Sequence, residues 1–296
     1  MPSSGYPAAS MREELRELWR FRELLLSMVE RELRIRYKNS ALGVMWSFLS
    51  PLATTAVLTL VFGYLTPTGS VDSFSAYILA AYLPYLFFQQ SVLDSAQSVL
   101  AQVALVKKIY FPREILPLAA ILSNFIHLLI GFVVFFLFLL VVWILNPGPS
   151  PFQIGTIWLP FLLVISLAIS TGLSLIVSAL NTFYEDVKYM VSVAMYLLFF
   201  LSPVTYLSEM VAYSKLNQSS GGLIYKLYHL NPLATLSTAY RHALLAPQGP
   251  TVNGVKQLPV PLDPWYIVWT TFVAFATLVG GYAIFNRYKW RFVERP

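Results

Sequence analysis

The sequence of 296 residues contains no cysteine and few charged side chains. Without cysteine, the chain can form neither a disulfide nor a thiolate metal site, and it has no thiol nucleophile. Asp, Glu, Lys and Arg together make up 11% of the residues, whereas soluble domains contain about 25%. Hydrophobic residues make up 57% and aromatic residues 16%. This composition is typical of a protein that crosses a membrane several times.

Two motifs that would mark an enzyme are also absent. The sequence has no Gly-x-x-x-x-Gly-Lys-Ser/Thr phosphate loop, so the chain has no recognisable means of hydrolysing ATP. It has no His-Glu-x-x-His motif, and its three histidines lie far apart at His127, His229 and His242. We therefore expect no metal site and no catalytic residue. Asn124 and His127 follow helical spacing, which favours hydrogen bonds between helices.

Long apolar segments organise most of the chain. A membrane-spanning helix needs about 20 predominantly apolar residues. Six segments meet this need: 42–65, 75–102, 115–145, 156–180, 188–207 and 264–286. We therefore predict an all-α integral membrane protein with a six-span domain over residues 41–287 and a cytoplasmic tail at 288–296.

The first forty residues differ from the rest of the chain. Residues 1–10 are rich in Ser, Pro, Ala and Gly and are expected to be disordered. Residues 11–40 follow as an amphipathic helix, because polar side chains recur every three or four residues. Leu18, Phe21, Leu25 and Met28 fall on the opposite side of that helix. We predict that this helix lies in the membrane interface; the alternative is a helix that packs on a soluble partner.

Lys and Arg are concentrated on one side of the predicted map. In a soluble protein, the net charge of +6 would suggest a nucleic-acid partner. Here membrane topology explains the positive charge better. With the N-terminus inside, all but four of the 20 Lys and Arg fall on inner segments. The four exceptions, Lys215, Lys226, Arg241 and Lys256, lie in the last outer loop. Both termini are therefore expected in the cytoplasm, and no nucleic-acid partner is expected.

The last outer loop, residues 208–263, is too short for an independent domain. It contains two semi-apolar stretches, 222–230 and 232–245, that are too short to span a membrane. Asn231 and Pro232 separate them with a turn and a helix start. We predict two short helices, at about 222–245, that dip back into the outer leaflet. The alternative is a pair of surface helices on the outer face.

The inner loop after the second segment mixes cations with exposed aromatic side chains. A positive-inside loop explains its charges, whereas a docking surface for a cytoplasmic partner also explains its apolar side chains. The loop residues in question are Lys107, Lys108, Ile109, Tyr110, Phe111, Pro112 and Arg113.

Aromatic side chains in the second and fifth segments are candidates for lining a path. Flat apolar rings with polar edges suit sugar rings, although such residues also pack in cores or sit in interfacial belts. Asp94, at membrane depth, indicates either an aqueous path or a structural hydrogen bond. The candidates are Tyr82, Tyr85, Phe88, Asp94, Tyr196, Phe199 and Phe200.

Five segments in order make the chain similar to a known family. It resembles the transmembrane subunit of ABC transporters that export polysaccharides such as O-antigen, capsule and wall teichoic acid. The resemblance rests on RIRYKNSALGVMWSFLSP at 34–51, KKIYFPREILP at 107–117, NTFYEDV at 181–187, FLSPVTY at 200–206, and NPL at 231–233 with Tyr240 and Arg241. Glu185 departs from the family, which more often has Arg there.

The resemblance implies a homodimer with two ATPase subunits, which would bind ATP and Mg²⁺, so that this chain needs no cofactor. It implies a polyprenyl-pyrophosphate- or diacylglycerol-linked glycan as cargo and the bacterial inner membrane as location. Residues 107–113 would couple to the ATPase. The implied exit gate contains Asn231, Pro232, Tyr240 and Arg241, and the implied substrate entrance contains Arg34, Arg36, Lys38, Leu42, Gly43 and Trp46.

Our leading hypothesis is an export channel subunit that a separate ATPase powers. One alternative is a membrane-embedded enzyme that acts on lipid-linked sugars, using carboxylates among Asp94, Glu114, Glu185 and Asp186. A passive channel is a third. The cations Arg34, Arg36 and Lys38 would attract the carrier's pyrophosphate, or else anionic lipid headgroups.

Overall fold

A computed structural model describes residues 11–38, 40, 42–65, 74–145, 152–252 and 255–293. The disorder predicted for residues 1–10 lies outside the described residues. In the described parts the chain is almost entirely helical, which confirms the all-α prediction. The α-helices are α1 (Met11–Arg20), α2 (Arg22–Tyr37), α3 (Trp46–Leu58), α4 (Phe74–Ser98), α5 (Val103–Lys108), α6 (Ile115–Leu145), α7 (Leu159–Phe183), α8 (Val187–Leu201), α9 (Ser208–Ala212), α10 (Lys215–Ser219), α11 (Leu223–His229), α12 (Pro232–Leu244) and α13 (Pro264–Tyr288).

Shorter elements extend or connect these helices. A π-helical turn, Thr59–Leu65, prolongs α3. The 3₁₀ turns are Gly43–Met45, Leu100–Gln102, Ile154–Trp158 and Lys289–Val293. Two-residue strands, β1 (Thr251–Val252) and β2 (Val255–Lys256), pair in antiparallel fashion.

Within the described ranges, five helical segments are long and apolar enough to cross a membrane. They are Trp46–Tyr64, Phe74–Ser98, Ile115–Leu145, Ile154–Phe183 and Pro264–Phe292. The segment predicted at 188–207 forms the shorter helix α8, which has 15 residues. It ends at Leu201 because Pro203 follows closely and Ser202 adopts an extended backbone, as residues before proline do.

The spanning helices run between two ends of the bundle. We call the end where α2 finishes and α5 lies the basic end, and the end that carries residues 202–263 the long-loop end. Helix α4 is the centre of the bundle, since it packs against α3, α6, α7, α8 and α12. Most of its side chains are buried.

The closest helix crossing joins α7 and α13. It depends on two glycines, because a Cβ atom on Gly172 would lie 2.3 Å from the carbonyl oxygen of Thr277, and one on Gly281 would lie 2.1 Å from that of Gly172. Small residues at such crossings let helix backbones approach.

Replacing Gly281 with alanine is therefore expected to force these helices apart and to lower stability by about 1–3 kcal/mol. Thermal unfolding of the detergent-purified protein measures the loss. Gly280→Ala is a matched control, since a Cβ atom there meets nothing within 4 Å. Equal effects of the two substitutions would contradict the close crossing.

The amphipathic N-terminal segment is two helices rather than one. Phe21 separates α1 from α2. Part of the apolar face of these helices packs on the chain's own basic end, in a cluster built around Val99, Phe111, Phe285 and Phe292. The N-terminal side chains in that cluster are Leu18, Phe21, Leu24, Leu25 and Met28.

Candidate functional site

A cavity of about 360 Å³ lies at the basic end between the end of α2 and helices α3, α4 and α6. Of the predicted entrance residues, Arg36, Gly43 and Trp46 line it. Arg34, Lys38 and Leu42 do not. Arg34 is on an exposed face of α2, where it pairs with Glu30 at 2.5 Å.

Three polar side chains close a ring at the cavity wall. The Arg36 guanidinium donates to Asp94 at 2.6 Å and to Asn124 at 2.9 Å, and the Asn124 amide donates to Asp94 at 2.9 Å. Asp94 therefore lines the cavity and makes an ion pair with Arg36. The positive charge of Arg36 is paired with a carboxylate at the cavity wall, where both side chains remain partly exposed.

A second hydrogen-bonded group lies beside this ring. The Tyr37 hydroxyl contacts Nε2 of His127 and Oγ of Ser47, and Nδ1 of His127 lies 3.1 Å from the Ser123 carbonyl oxygen. These bonds link the end of α2 to α3 and α6. They confirm the interhelical hydrogen bonding predicted for the Asn124 and His127 pair.

The predicted coupling loop divides into exposed and buried residues. Ile109 is 57% and Tyr110 70% exposed, and Lys107 and Lys108 are also exposed. Phe111 and Pro112 are buried, and Arg113 is half-buried. Since the buried side chains anchor the loop, they hold the exposed ones at a defined place on the basic end.

Buried ions fix the other side of this loop. Nζ of Lys289 lies 2.6 Å from Oε1 of Glu114 and 3.4 Å from Oε1 of Glu14. The Asn286 amide also donates to Glu14, and the Arg113 guanidinium donates to the Lys289 carbonyl. The loop, helix α1 and the C-terminal 3₁₀ turn therefore meet in one charged cluster.

A tyrosine adds a further link to the N-terminal helices. The Tyr110 hydroxyl donates to Oε1 of Glu17 at 3.2 Å. Partial burial, and then the Glu17 carboxylate, raise the pKa of Tyr110, so the hydroxyl keeps its proton. The α1–α2 pair thus touches the coupling loop through α1 and the cavity through the end of α2.

Sequence reasoning missed Glu14 and Lys289. Lys289 lies 175 residues from Glu114 and 275 from Glu14, and no local pattern relates them. Glu114 was considered only as a catalytic carboxylate. The one available signal was the position of both Lys289 and Glu114 next to predicted span ends on the same side.

The enzyme hypothesis required carboxylates that converge. Asp94 pairs with Arg36 and Glu114 with Lys289, and Glu185 and Asp186 are exposed. Among the residues that the structure describes, no group of three or more His, Asp and Glu side chains is placed to hold a metal ion. Asp94 and Glu114 are each held by a different cation, and the described contact between a histidine and a carboxylate, His242 to Glu209 at 3.7 Å, lies at the long-loop end.

At the long-loop end, α12 is built into the bundle. It packs against α4, α7 and α13, and its side chains are almost all buried. The Asn231 side chain caps it by accepting from the Leu233 N–H at 3.1 Å, and Pro232 occupies the first turn. Helix α11 stays half-exposed. This burial favours the re-entrant interpretation over a surface helix for α12.

Tyr240 and Arg241 hold α12 in place. The Tyr240 ring stacks on Phe132 at 5.7 Å, and its hydroxyl lies 3.0 Å from Oγ of Ser166. Arg241 is 2% exposed. Its guanidinium donates to three backbone carbonyls, those of Val204 at 2.7 Å, Tyr206 at 2.9 Å and Tyr77 at 3.0 Å.

The aromatic path candidates fall into an inner and an outer set. Tyr82 and Tyr85 make edge contacts with Phe199 at 6.1 and 5.4 Å, and Tyr85 and Phe88 are buried. These side chains pack α8 against α4. Tyr196 and Phe200 are exposed on the far side of α8, so only this outer set faces away from the chain's own core.

These features define a polytopic membrane subunit with a polar cavity near one end. The chain belongs to the ABC-2 type transporter family, whose profile matches residues 23–245. It is 28% identical over 273 residues to the O-antigen export system permease protein RfbA of Klebsiella pneumoniae, covering 92% of this chain and 94% of that protein.

Two further relatives extend the comparison. The O-antigen export system permease protein RfbA of Myxococcus xanthus is 29% identical over 227 residues, with 77% of this chain and 82% of the relative covered. The polysialic acid transport protein KpsM of Escherichia coli is 27% identical over 180 residues, with 60% and 67% covered. The chain is therefore a multi-pass transport protein of the ABC-2 type.

Proposed function

We propose that this chain is the membrane-spanning channel subunit of an ABC exporter that moves a lipid-linked polysaccharide out of the cytoplasm. The observation that carries the proposal is the similarity to O-antigen export permeases over 92% of the chain. The polysialic acid transport relative supports the same class of cargo. The membrane is the bacterial inner membrane, with both termini in the cytoplasm, in keeping with the distribution of Lys and Arg.

A separate ATPase subunit, in two copies, powers export and binds ATP and Mg²⁺. Two features support this partner. The sequence contains no phosphate loop, and Ile109 and Tyr110 present apolar surface beside Lys107 and Lys108 on an anchored loop. Exposed aromatic and aliphatic side chains on a fixed loop suit a protein partner better than water.

The exporter contains two copies of this chain. Tyr196 and Phe200 point away from the chain's own core, so they line a path only if a second copy faces them. Tyr82, Tyr85 and Phe199 support them from behind. Helix α12, held by Tyr240 and Arg241 and begun by Asn231 and Pro232, then forms the outer gate of that path.

The docking surface is tested by placing a charge on the exposed part of the loop. The double variant Ile109→Asp/Tyr110→Asp should reduce co-purification of the ATPase subunit by about tenfold or more, because apolar contacts at a protein interface are lost. These two positions are better targets than a deletion of residues 107–113, which would also remove the buried Phe111 and Pro112.

Leu258→Asp is the control, since Leu258 is an apolar residue at the long-loop end that is 78% exposed. It should leave co-purification unchanged. If the loop variant retains the ATPase, or if both variants lose it equally, the docking proposal is wrong. Cargo is identified separately, by measuring which lipid-linked glycan stimulates ATP hydrolysis by the reconstituted complex.

A further inference from the structure

We infer that the cavity between α2, α3, α4 and α6 binds a single uncharged sugar ring of the transported glycan, and that it does not bind the phosphate of the lipid carrier. This inference rests on the proposed export function. It differs from both roles that the sequence suggested for Arg36, which were the capture of a pyrophosphate and the attraction of anionic lipid headgroups.

The charge of the cavity wall disfavours a phosphate site. Among the described residues that line the cavity, Arg36 is the only Lys or Arg. Both of its terminal nitrogens are occupied, one by Asp94 and one by Asn124. Protein sites for phosphate present uncompensated Arg or Lys, or the N-terminus of a helix. Here the Asp94 carboxylate neutralises the one cation and repels an anion.

The size of the cavity suits a small ligand such as a sugar ring. Its volume of about 360 Å³ is near the lower end of the range of small-molecule sites, about 300–1,000 Å³. An oligosaccharide chain would need a longer groove. The cavity also lies at the basic end, where a sugar attached to a carrier lipid would lie level with the headgroups.

The remaining lining groups have the chemistry of a sugar site. Gln90 and Ser50 line the cavity, and neither side chain has a hydrogen-bond partner within the described ranges. An amide and a hydroxyl each donate and accept, as sugar hydroxyls require. Trp46, which is 52% exposed, offers a flat ring against which the apolar face of a sugar can stack.

The test uses full-length permease in lipid nanodiscs and a panel of methyl glycosides of glucose, galactose, mannose, rhamnose and N-acetylglucosamine. Saturation-transfer difference NMR detects which glycoside binds. We expect at least one to bind and inorganic pyrophosphate not to displace it. Gln90→Ala should weaken that binding about tenfold, the effect of one lost hydrogen bond to a ligand.

Gln89→Ala is the matched control. Gln89 is the same residue type one position away on α4, and it is not among the cavity residues. Ser50→Ala gives a second test at an exposed position of α3, where misfolding is not expected. The inference is overturned if no glycoside binds, if pyrophosphate displaces the glycoside, or if Gln90→Ala and Gln89→Ala behave alike.

Failure of this inference is distinguishable from failure of the export function. Stimulation of ATP hydrolysis by a lipid-linked glycan, measured on the reconstituted complex, tests the function alone. If the complex is stimulated but the cavity binds no glycoside, the sugar site is wrong and the export function stands. If a glycoside binds through Gln90 but no glycan stimulates the complex, the assigned function is wrong.

Discussion

Arg241→Met is expected to lower the thermal midpoint of the purified protein by about 10 °C. This shift corresponds to a loss of ~4 kcal/mol in the free energy of unfolding, at ~2–4 °C for each kcal/mol. Arg241 is 2% exposed and donates to the carbonyls of Tyr77, Val204 and Tyr206. Methionine has a similar length but no donor. All three buried carbonyls would lose a charge-assisted hydrogen bond, and unsatisfied buried acceptors are costly.

Arg241→Lys separates geometry from charge. A lysine keeps the charge but lacks the planar fork that reaches three acceptors, so it should recover only a minor part of the loss. The matched control is Arg287→Met, an exposed arginine on α13, which should change the midpoint little. Full rescue by lysine, or an equal loss at Arg287, would contradict the three-carbonyl anchor.

The Arg241 anchor has a consequence for the proposed gate. The carbonyls of Val204 and Tyr206 belong to the segment that follows α8, and that of Tyr77 belongs to the first turn of α4. Helix α12 is therefore tied to both elements through one side chain. If α12 opens as a gate, either the segment after α8 moves with it or these hydrogen bonds break.

Lys289→Met is expected to cost about 3–5 kcal/mol of stability, because it leaves the buried Glu114 carboxylate without its cation. Glu114 is 1% exposed, and its Oε1 is bonded to Lys289. The same change removes the side-chain link between Glu114 and the C-terminal 3₁₀ turn and leaves the bond from Arg113 to the backbone carbonyl of residue 289 in place. We therefore expect glycan-stimulated ATP hydrolysis to fall even at temperatures where the complex stays assembled.

A double-mutant cycle tests the cause. In the Lys289→Met background, Glu114→Gln removes the uncompensated charge, so the double variant should be more stable than Lys289→Met alone. Thermal midpoints of the four proteins give the coupling between the two sites. Additive losses, with the double variant the least stable, would show that the two side chains do not act as a pair.

Much of the architecture was predictable from the order of residues along the chain. The segment predicted at 115–145 is helix α6, and α13 begins at the predicted residue 264 and ends two residues beyond 286. Hydrophobicity over some twenty residues is a local property and needs no knowledge of neighbours. The helix start at Asn231 and Pro232 was likewise a local signal, since a capping side chain and a proline act within one turn.

Other features depended on which helices pack together. The face of α1 and α2 was correctly identified as apolar. The protein cluster on which it packs was not predictable, because membrane and protein core present the same kind of surface to an apolar helix face. The same uncertainty applied to the aromatic residues. Tyr85 and Tyr196 both lie in apolar segments rich in aromatic side chains, yet Tyr85 is buried and Tyr196 is exposed.

Hydropathy, the one-sided placement of Lys and Arg, and the missing phosphate loop identify this chain as a membrane subunit from its sequence alone. The packing of α2, α4 and α6 brought Arg36 to Asp94 and Asn124, and thereby changed a free cation into a neutralised one. The packing at the basic end likewise joined Lys289 to Glu114 and Glu14. Such pairings span 30 to 275 residues, and they arise from helix packing that no local sequence pattern specifies.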